Sequence, residues 1–174
     1  MTTPPPPDAL GDVLLAELRE RFRQQRAMVE KSLAQVDDHA LFAALDEESN
    51  SIAIIMQHMG GNLRSRFTDF LTTDGEKPDR DRDGEFEKMA GEIRADVVAR
   101  WDTGWRALER TLEQLTPADL VRTVTIRGEP MTVVQALGRA LAHQAQHAGQ
   151  VVLLAKHFAG PAWATLSIPR KRKA

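Results

Sequence analysis

Three of the five histidines stand at spacings from which a helical protein can bind a metal ion. His143 and His147 are four residues apart, so on a helix both imidazoles project from one face, about one turn apart. His58 lies far upstream, beside another apolar stripe that would face the same interior. Neutral imidazoles are common ligands of divalent metals, and three of them leave a coordination position for water or a substrate. The sequence therefore predicts one divalent metal site on His58, His143 and His147.

The alternative interpretation is that these histidines belong to the core and only satisfy one another by hydrogen bonds. It stays open because the HxxxH motif is short. A metalloprotease of the HExxH type is excluded, since the residue after His143 is Gln144, which cannot take up a proton. Any chemistry would have to come from a water or a substrate that the metal activates.

Two polar residues lie about one turn from the predicted ligands. Asn62 follows His58 by four residues, and Gln150 follows His147 by three. Each could contact a bound ligand or hydrogen-bond a metal-ligating histidine. For Asn62 the alternative is a plain hydrogen bond between helices. His39 and His157 are expected to be ordinary surface or helix-end residues.

Four amphipathic segments must position these side chains. Their apolar residues recur at helical spacing, and two of the segments begin at recognisable N-caps. The predicted helices run from about Asp8 to Val36, from Asn50 or Ser51 through Phe70, from Phe86 or Ala90 to Leu115, and from Thr132 to the Gly160-Pro161 stop. Four long helices with longer connections between them predict an all-α four-helix bundle.

The connections carry their own signals. Gly60-Gly61 lies inside the second helix and predicts the close approach of another element. Residues 73–85 are rich in charge, glycine and proline, which predicts a loop long enough to cap one end of the bundle. Residues 121–131 alternate and are β-branched, so we expect a small β-hairpin before the last helix, with its turn near Gly128.

Composition limits the chemistry and the compartment. The chain has 174 residues, a net charge of −2 and no cysteine, which excludes disulfides, zinc–thiolate sites and a cysteine nucleophile. We expect a disordered, proline-rich segment at residues 1–8, one domain over 9–169 and a solubilising basic tail at 170–174. No stretch predicts a secretory signal or a membrane span. The expectation is a cytoplasmic protein with neither a nucleic-acid nor a membrane partner.

Longer strings add a resemblance to a known family. The string HQAQHAGQ at 143–150 resembles the HxxxHxGQ motif of the DinB-like, or YfiT-like, superfamily, and His58 in IMQHMGGN completes its three-histidine set. The strings NLRSRFTDFLTTDGEKP, TIRGEP and TLSIP resemble those of an uncharacterised bacterial subgroup. The resemblance covers about residues 8–169.

The resemblance implies an up-down-down-up bundle, often a homodimer, with one divalent ion such as zinc, nickel, iron or manganese on the three histidines. Characterised members include bacillithiol transferases and a mycothiol-dependent maleylpyruvate isomerase, in which the metal activates a low-molecular-weight thiol. It therefore implies a metal-dependent thiol transferase, with metal-assisted hydrolysis as a variant. Because the chain has no cysteine, the thiol would come from a small-molecule cosubstrate. The alternative is a non-catalytic, stress-related bundle with a structural or ligand-binding metal site.

A few further residues bear on these hypotheses. Arg64 and Arg66 could bind a carboxylate of the cosubstrate, although arginines on a solvated face are more common. Gly149 is expected to permit close helix packing. A fourth protein ligand to the metal would favour the structural hypothesis, whereas an open coordination position would favour the enzyme. The sequence offers no Asp or Glu one turn from His58 or His147 on the metal-facing side.

Overall fold

The computed structural model describes residues 8–168, most of which lie in four long helices. The helices are α1 (Ala9–Leu33), the short α2 (Asp38–Phe42), α3 (Ile52–Phe67), α4 (Arg94–Gln114) and α5 (Val133–Ala159). The predicted helical bundle with a hairpin before its last helix is therefore confirmed. The prediction of a basic tail at 170–174 falls outside the described residues, as does all but the last residue of the predicted disordered segment at 1–8.

The four long helices pack in pairs, α3 on α4 and α1 on α5, with a smaller contact between α3 and α5. Trp101 and Trp105 of α4 lie in the core and are 1% exposed. A Cβ placed on Gly104 would lie 2.2 Å from the carbonyl oxygen of Gly60, so the backbones of α3 and α4 touch there. The close approach predicted at Gly60 is confirmed. The prediction for Gly149 is wrong, because a Cβ there would have no neighbour within 4 Å.

Side-chain caps start the two helices that carry the histidines. Ser51 Oγ accepts a hydrogen bond from the Ile54 amide at 3.3 Å, and this cap begins α3. Thr132 and Gln135 form a reciprocal capping box at the start of α5: Gln135 N donates to Thr132 Oγ1 at 3.3 Å, and Thr132 N donates to Gln135 Oε1 at 2.8 Å. These local bonds fix where each helix begins and hence the rotation at which its histidines project.

The hairpin consists of β1 (Thr123–Ile126) and β2 (Glu129–Thr132), paired antiparallel with Thr123 opposite Thr132 and Ile126 opposite Glu129. Its two-residue turn holds Arg127 at φ 59° and Gly128 at φ 75°. Left-handed residues at both central positions match the twist of the flanking strands. The turn predicted near Gly128 is confirmed.

The segment between α3 and α4 is longer than the sequence predicted. The second predicted helix, expected through Phe70, ends at Phe67, and the third, expected from Phe86 or Ala90, begins only at Arg94. Gly91 has φ +73°, a left-handed conformation that no right-handed helix can pass through. Residues 68–93 therefore form one long connection, which contains a single turn of 3-10 helix at Gly84–Phe86.

This connection is bound to the hairpin. The Asp74 carboxylate accepts the backbone amides of Arg127 and Gly128, each at 2.8 Å, and the Gly75 amide donates to the Thr125 carbonyl at 2.8 Å. The Glu76 amide also donates to Asp74, and this bond, with those from Gly128 and Arg127, lowers the pKa of Asp74 to about 2. The loop predicted to cap one end of the bundle is thereby held against it, beside the histidines.

Within residues 8–168, no helix is both long enough and apolar enough to cross a membrane.

Candidate metal centre

The three predicted ligands converge on one point between α3 and α5. One ring nitrogen from each of His58, His143 and His147 lies within 4.8 Å of the other two. The Nε2 atoms of His58 and His143 are 3.1 Å apart. His58 is buried, and the other two are partly buried. The sequence predicted all three ligands, and the packing of α3 against α5 is what brings His58 to the pair on α5.

A buried ion pair orients His58. Its Nδ1 lies 2.9 Å from Glu85 Oε2, and the Arg80 guanidinium donates to both Glu85 oxygens, at 2.8 and 2.7 Å. Although burial alone would raise the pKa of Glu85, the bonds from Arg80 and His58 hold it below its usual value. An ionised Glu85 keeps a proton on His58 Nδ1, which leaves the Nε2 lone pair directed at the other histidines.

Glu85 and Arg80 are the residues of the site that the sequence did not identify. Glu85 does not lie one helical turn from a histidine: it follows His58 by 27 residues, in the connection between α3 and α4. The sequence carried one sign of Glu85, which is the glycine at position 61. A Cβ at Gly61 would lie 2.2 Å from Glu85 Oε1, so only glycine leaves room for the carboxylate. The second glycine of the pair thus makes room for the carboxylate, while the first makes room for α4.

The two polar residues predicted near the site lie beside it. His147 Nδ1 is 2.6 Å from Gln150 Oε1, so the imidazole N–H donates to the amide oxygen and leaves Nε2 free. Asn62 is partly buried and lines the cavity next to His58. His39 and His157 are exposed and lie outside the cluster, as predicted.

Burial keeps two of the histidines neutral. It lowers the pKa of His143 to about 3, helped by the neighbouring His147, His58 and Arg80. It also lowers the pKa of His147, although the bond to Gln150 opposes that shift. Both rings are therefore unprotonated at neutral pH, which is the form that binds metals.

The cluster fits a divalent ion by its geometry and by its donors. Ligands at the Zn–N distance of about 2.0–2.1 Å in a tetrahedron are about 3.3 Å apart, close to the 3.1 Å between the two Nε2 atoms. Two nitrogen lone pairs at this distance repel unless a proton or a cation lies between them. Within residues 8–168 the group holds only the three histidines. The Glu85 oxygens are already occupied by His58 and Arg80.

A cavity of about 180 Å³ opens beside the histidines and gives small molecules access to two of them. His58 and His143 form part of its wall, as does Arg66. Arg66 is buried, whereas Arg64 pairs with Asp79 at 2.9 Å and lines a different cavity. Of the two arginines considered from the sequence, only Arg66 therefore lies at the site.

Comparison with models of protein families identifies a family for this chain. The model of a protein family described as "Protein of unknown function (DUF1572)" matches residues 9–172. No curated protein matches the chain. The geometry of the site therefore has to carry the argument about function.

Proposed function

The chain belongs to DUF1572, a family of unknown function, and from that premise we propose a metal-dependent enzyme that binds one divalent ion on His58, His143 and His147. The observation that carries the proposal is the convergence of three imidazole nitrogens within 4.8 Å beside a cavity. The set of three histidines with an HxxxHxGQ string is similar to that of the DinB-like, or YfiT-like, superfamily. That similarity supports the choice of zinc, nickel, iron or manganese as the ion.

We propose that the reaction transfers a low-molecular-weight thiol to a small electrophilic substrate. A divalent ion on the three histidines would lower the pKa of a thiol or a water and so supply a nucleophile at neutral pH. The thiol comes from a cosubstrate because the chain has no cysteine. Hydrolysis is the variant in which water takes the place of the thiol. The proposal includes a homodimer, which sedimentation of the purified protein would test.

The chain's own residues prepare the site for this role. Glu85 and Gln150 hold the Nδ1 protons of His58 and His147, so both rings present Nε2 without rearrangement. The cavity lets a substrate reach His58 and His143. The Phe86 ring packs against the His58 ring, tilted by 34°, with 4.6 Å between the centroids. Three protein ligands with access from a cavity are typical of catalytic rather than structural metal sites.

A non-catalytic role is the second candidate, and one observation favours it. His58 belongs to one helix pair and the histidines of α5 to the other, so an ion between them would tie the two pairs together. Under this hypothesis the metal would stabilise the bundle without turnover. Activity therefore has to be measured separately from metal binding.

The first test is the metal content of purified, untagged protein. We compare the wild type with His58→Ala and His143→Ala, and with His157→Ala as the matched control, because His157 is exposed and outside the cluster. We expect near-stoichiometric metal in the wild type and in the control, and its loss in both site variants with helical content retained. Wild type that stays metal-free after incubation with zinc, nickel, iron and manganese would contradict the proposal.

The second test is turnover. Loaded protein is incubated with a panel of low-molecular-weight thiols and electrophilic acceptors, and the thioether product is measured. We expect product with the wild type and with His157→Ala but not with His58→Ala. Stoichiometric metal binding without transfer or hydrolysis across the panel would favour the non-catalytic bundle.

A further inference from the structure

The cavity beside the histidines is lined by an unusual number of arginines. Of the thirteen residues that line it, five are arginines, and these lining residues include no aspartate or glutamate. The five are Arg66, Arg80, Arg82, Arg127 and Arg139. We call this group the arginine cluster.

The cluster is assembled from four separate parts of the chain. Arg66 lies on α3, Arg80 and Arg82 on the connection after it, Arg127 in the hairpin turn and Arg139 on α5. Like charges repel, so bringing five guanidinium groups to one cavity is costly unless anions compensate them. The bonds that bind the connection to the hairpin are also what bring Arg80 and Arg127 to the same cavity.

Two glutamates that do not line the cavity compensate part of this charge. Glu76 Oε2 accepts from Arg66 at 2.9 Å and from Arg127 at 2.8 Å, and its Oε1 lies 3.4 Å from Arg80. Glu85 takes the remaining bonds of Arg80. Burial by itself would raise the pKa of Glu76, but the bonds from Arg127 and Arg66 lower that pKa to about 2. Both carboxylates are thus ionised, and together they face three arginines.

The other two arginines leave the cavity with an excess of positive charge. Arg82 is exposed and pairs only with the neighbouring Asp83, at 3.2 Å. Arg139 is exposed and makes no ion pair with any residue in 8–168. Five guanidinium groups therefore have three carboxylates as ion-pair partners, those of Glu76, Glu85 and Asp83. Burial lowers the pKa of Arg66, and the charges of Arg80 and Arg127 add to that shift, although Glu76 opposes it.

We propose that the arginine cluster binds an oxyanion, a carboxylate or a phosphate, on the substrate or cosubstrate of the metal site. The role of the anion as part of the substrate rests on the proposed function, whereas the binding of an anion by the arginine cluster does not. Guanidinium groups match both oxyanions because their N–H donors form a fork that two oxygens accept. Exposed Arg82 and Arg139 supply free donors, whereas Arg66, Arg80 and Arg127 are held in place by the glutamates.

The size and lining of the cavity define what part of a molecule it accepts. A volume of about 180 Å³ is below the 300 Å³ or so at which pockets for whole ligands begin. It therefore takes one end of a molecule. Phe67, Phe70 and Ala136 supply an apolar wall for a short carbon chain. The expected ligand is a small acid whose anionic end binds the arginine cluster and whose reacting end lies at His58 and His143. Binding at both ends would position the ligand before it reacts.

The test measures anion binding directly, apart from activity. Succinate and inorganic phosphate are titrated into the protein by calorimetry at constant ionic strength, with neutral succinamide as the reference ligand. The variant Arg82→Gln/Arg139→Gln removes the two exposed guanidinium groups. The matched control is Arg106→Gln, since Arg106 is an exposed arginine of α4 outside the cavity. Each titration is done with metal-loaded wild type and with His58→Ala.

We expect succinate or phosphate to bind and succinamide not to bind. The double variant should weaken binding about tenfold or more, because charge-assisted hydrogen bonds are lost. The control should change it by less than about twofold, as for an exposed charge far from the ligand. The stronger of the two anions identifies the carboxylate or the phosphate as the natural group.

Three results would overturn the inference. They are the absence of anion binding, equal weakening in the double variant and the control, and binding that the double variant leaves unchanged. If the double variant binds the anion unchanged and His58→Ala does not bind it, the anion binds to the metal instead. Anion binding retained in metal-free His58→Ala supports the inference even if the proposed enzyme is wrong. Normal metal content without anion binding contradicts the inference alone.

Discussion

At the scale of single residues, the chemistry depends on which nitrogen of each imidazole carries a proton. Glu85 and Gln150 each occupy the Nδ1 side of a histidine, so the Nε2 side stays available. Arg80 keeps Glu85 ionised and fixed by a bidentate pair. His143 is different, because its Nδ1 is buried and has no hydrogen-bond partner within the described residues. The site thus has two imidazoles with a hydrogen-bond partner at Nδ1 and one without.

The first prediction concerns Glu85. We expect Glu85→Gln to weaken metal binding about 10- to 100-fold, as loss of a hydrogen-bond partner behind a ligating histidine usually does. Titration calorimetry with zinc measures the effect, and Glu87→Gln, an exposed glutamate two residues away, is the control. If Glu85→Gln and Glu87→Gln bind zinc as the wild type does, Glu85 does not position His58.

The second prediction concerns pH and the metal-free protein. His143 titrates at its ordinary value of 6.5 in the unfolded chain, whereas burial lowers its pKa to about 3 in the fold. Between these values the unfolded state binds more protons, so the free energy of unfolding falls as the pH falls from 6.5 towards 3. Urea denaturation across this range should show a shallower fall in His143→Gln. Parallel profiles for the two proteins would exclude the titration of His143 as a cause.

At the scale of elements, close backbone contact between α3 and α4 determines where His58 lies. Gly60 and Gly104 meet at the crossing, and Gly61 on the next position admits Glu85. Gly60 therefore allows the close packing of α3 on α4, and Gly61 leaves room for the carboxylate that contacts His58. The connection 68–93 completes the arrangement, because its bonds to the hairpin hold Glu85, Arg80 and the arginine cluster in place.

The third prediction tests this crossing. In Gly104→Ala the new Cβ would lie 2.2 Å from a backbone oxygen of Gly60, so the helices must separate. We expect a loss of about 1–3 kcal/mol in the free energy of unfolding, as overpacked cores show. Gly138→Ala on α5 is the control, since nothing lies within 4 Å of its Cβ, and it should stabilise by about 0.5–1 kcal/mol. Denaturant titration that shows equal effects would contradict the close crossing.

At the scale of the whole molecule, the histidines lie where the two helix pairs meet. α3 packs chiefly on α4 and α5 on α1, and the contact between α3 and α5 is smaller. An ion held by one histidine of α3 and two of α5 would join the pairs at their weaker boundary. Because such a site does not exist in the unfolded chain, binding there adds to the stability of the whole bundle.

The fourth prediction follows from this linkage. At a free metal concentration of about 100 times Kd, binding contributes about 2.7 kcal/mol, which corresponds to a rise in Tm of about 5–10 °C for a domain of this size. Calorimetry should show the rise in the wild type and its reversal by a chelator. His58→Ala should show no rise, and His157→Ala the full one. An unchanged Tm in the wild type, with metal shown to be bound, would mean that the unfolded chain binds the ion as tightly as the fold does, which contradicts a site that only the folded bundle forms.

Local order along the chain was enough to predict much of this protein. Helical periodicity identified the four long helices, the caps at Ser51 and Thr132 located two of their starts, and the turn at Gly128 located the hairpin. The spacing of His143 and His147 placed both on one face of α5. These features depend on neighbours within a few residues, so the sequence by itself determines them.

Only the tertiary structure decided what surrounds the histidines. Glu85 reaches His58, and Arg80 holds Glu85, from a connection whose course no periodicity describes. Helix α4 begins after Gly91 because that residue is left-handed. The arginine cluster joins four parts of the chain that are separated by many residues. Contacts of this kind depend on how the helices cross and how the connection is bound to the hairpin. That is a property of the packed molecule and not of any stretch of its sequence.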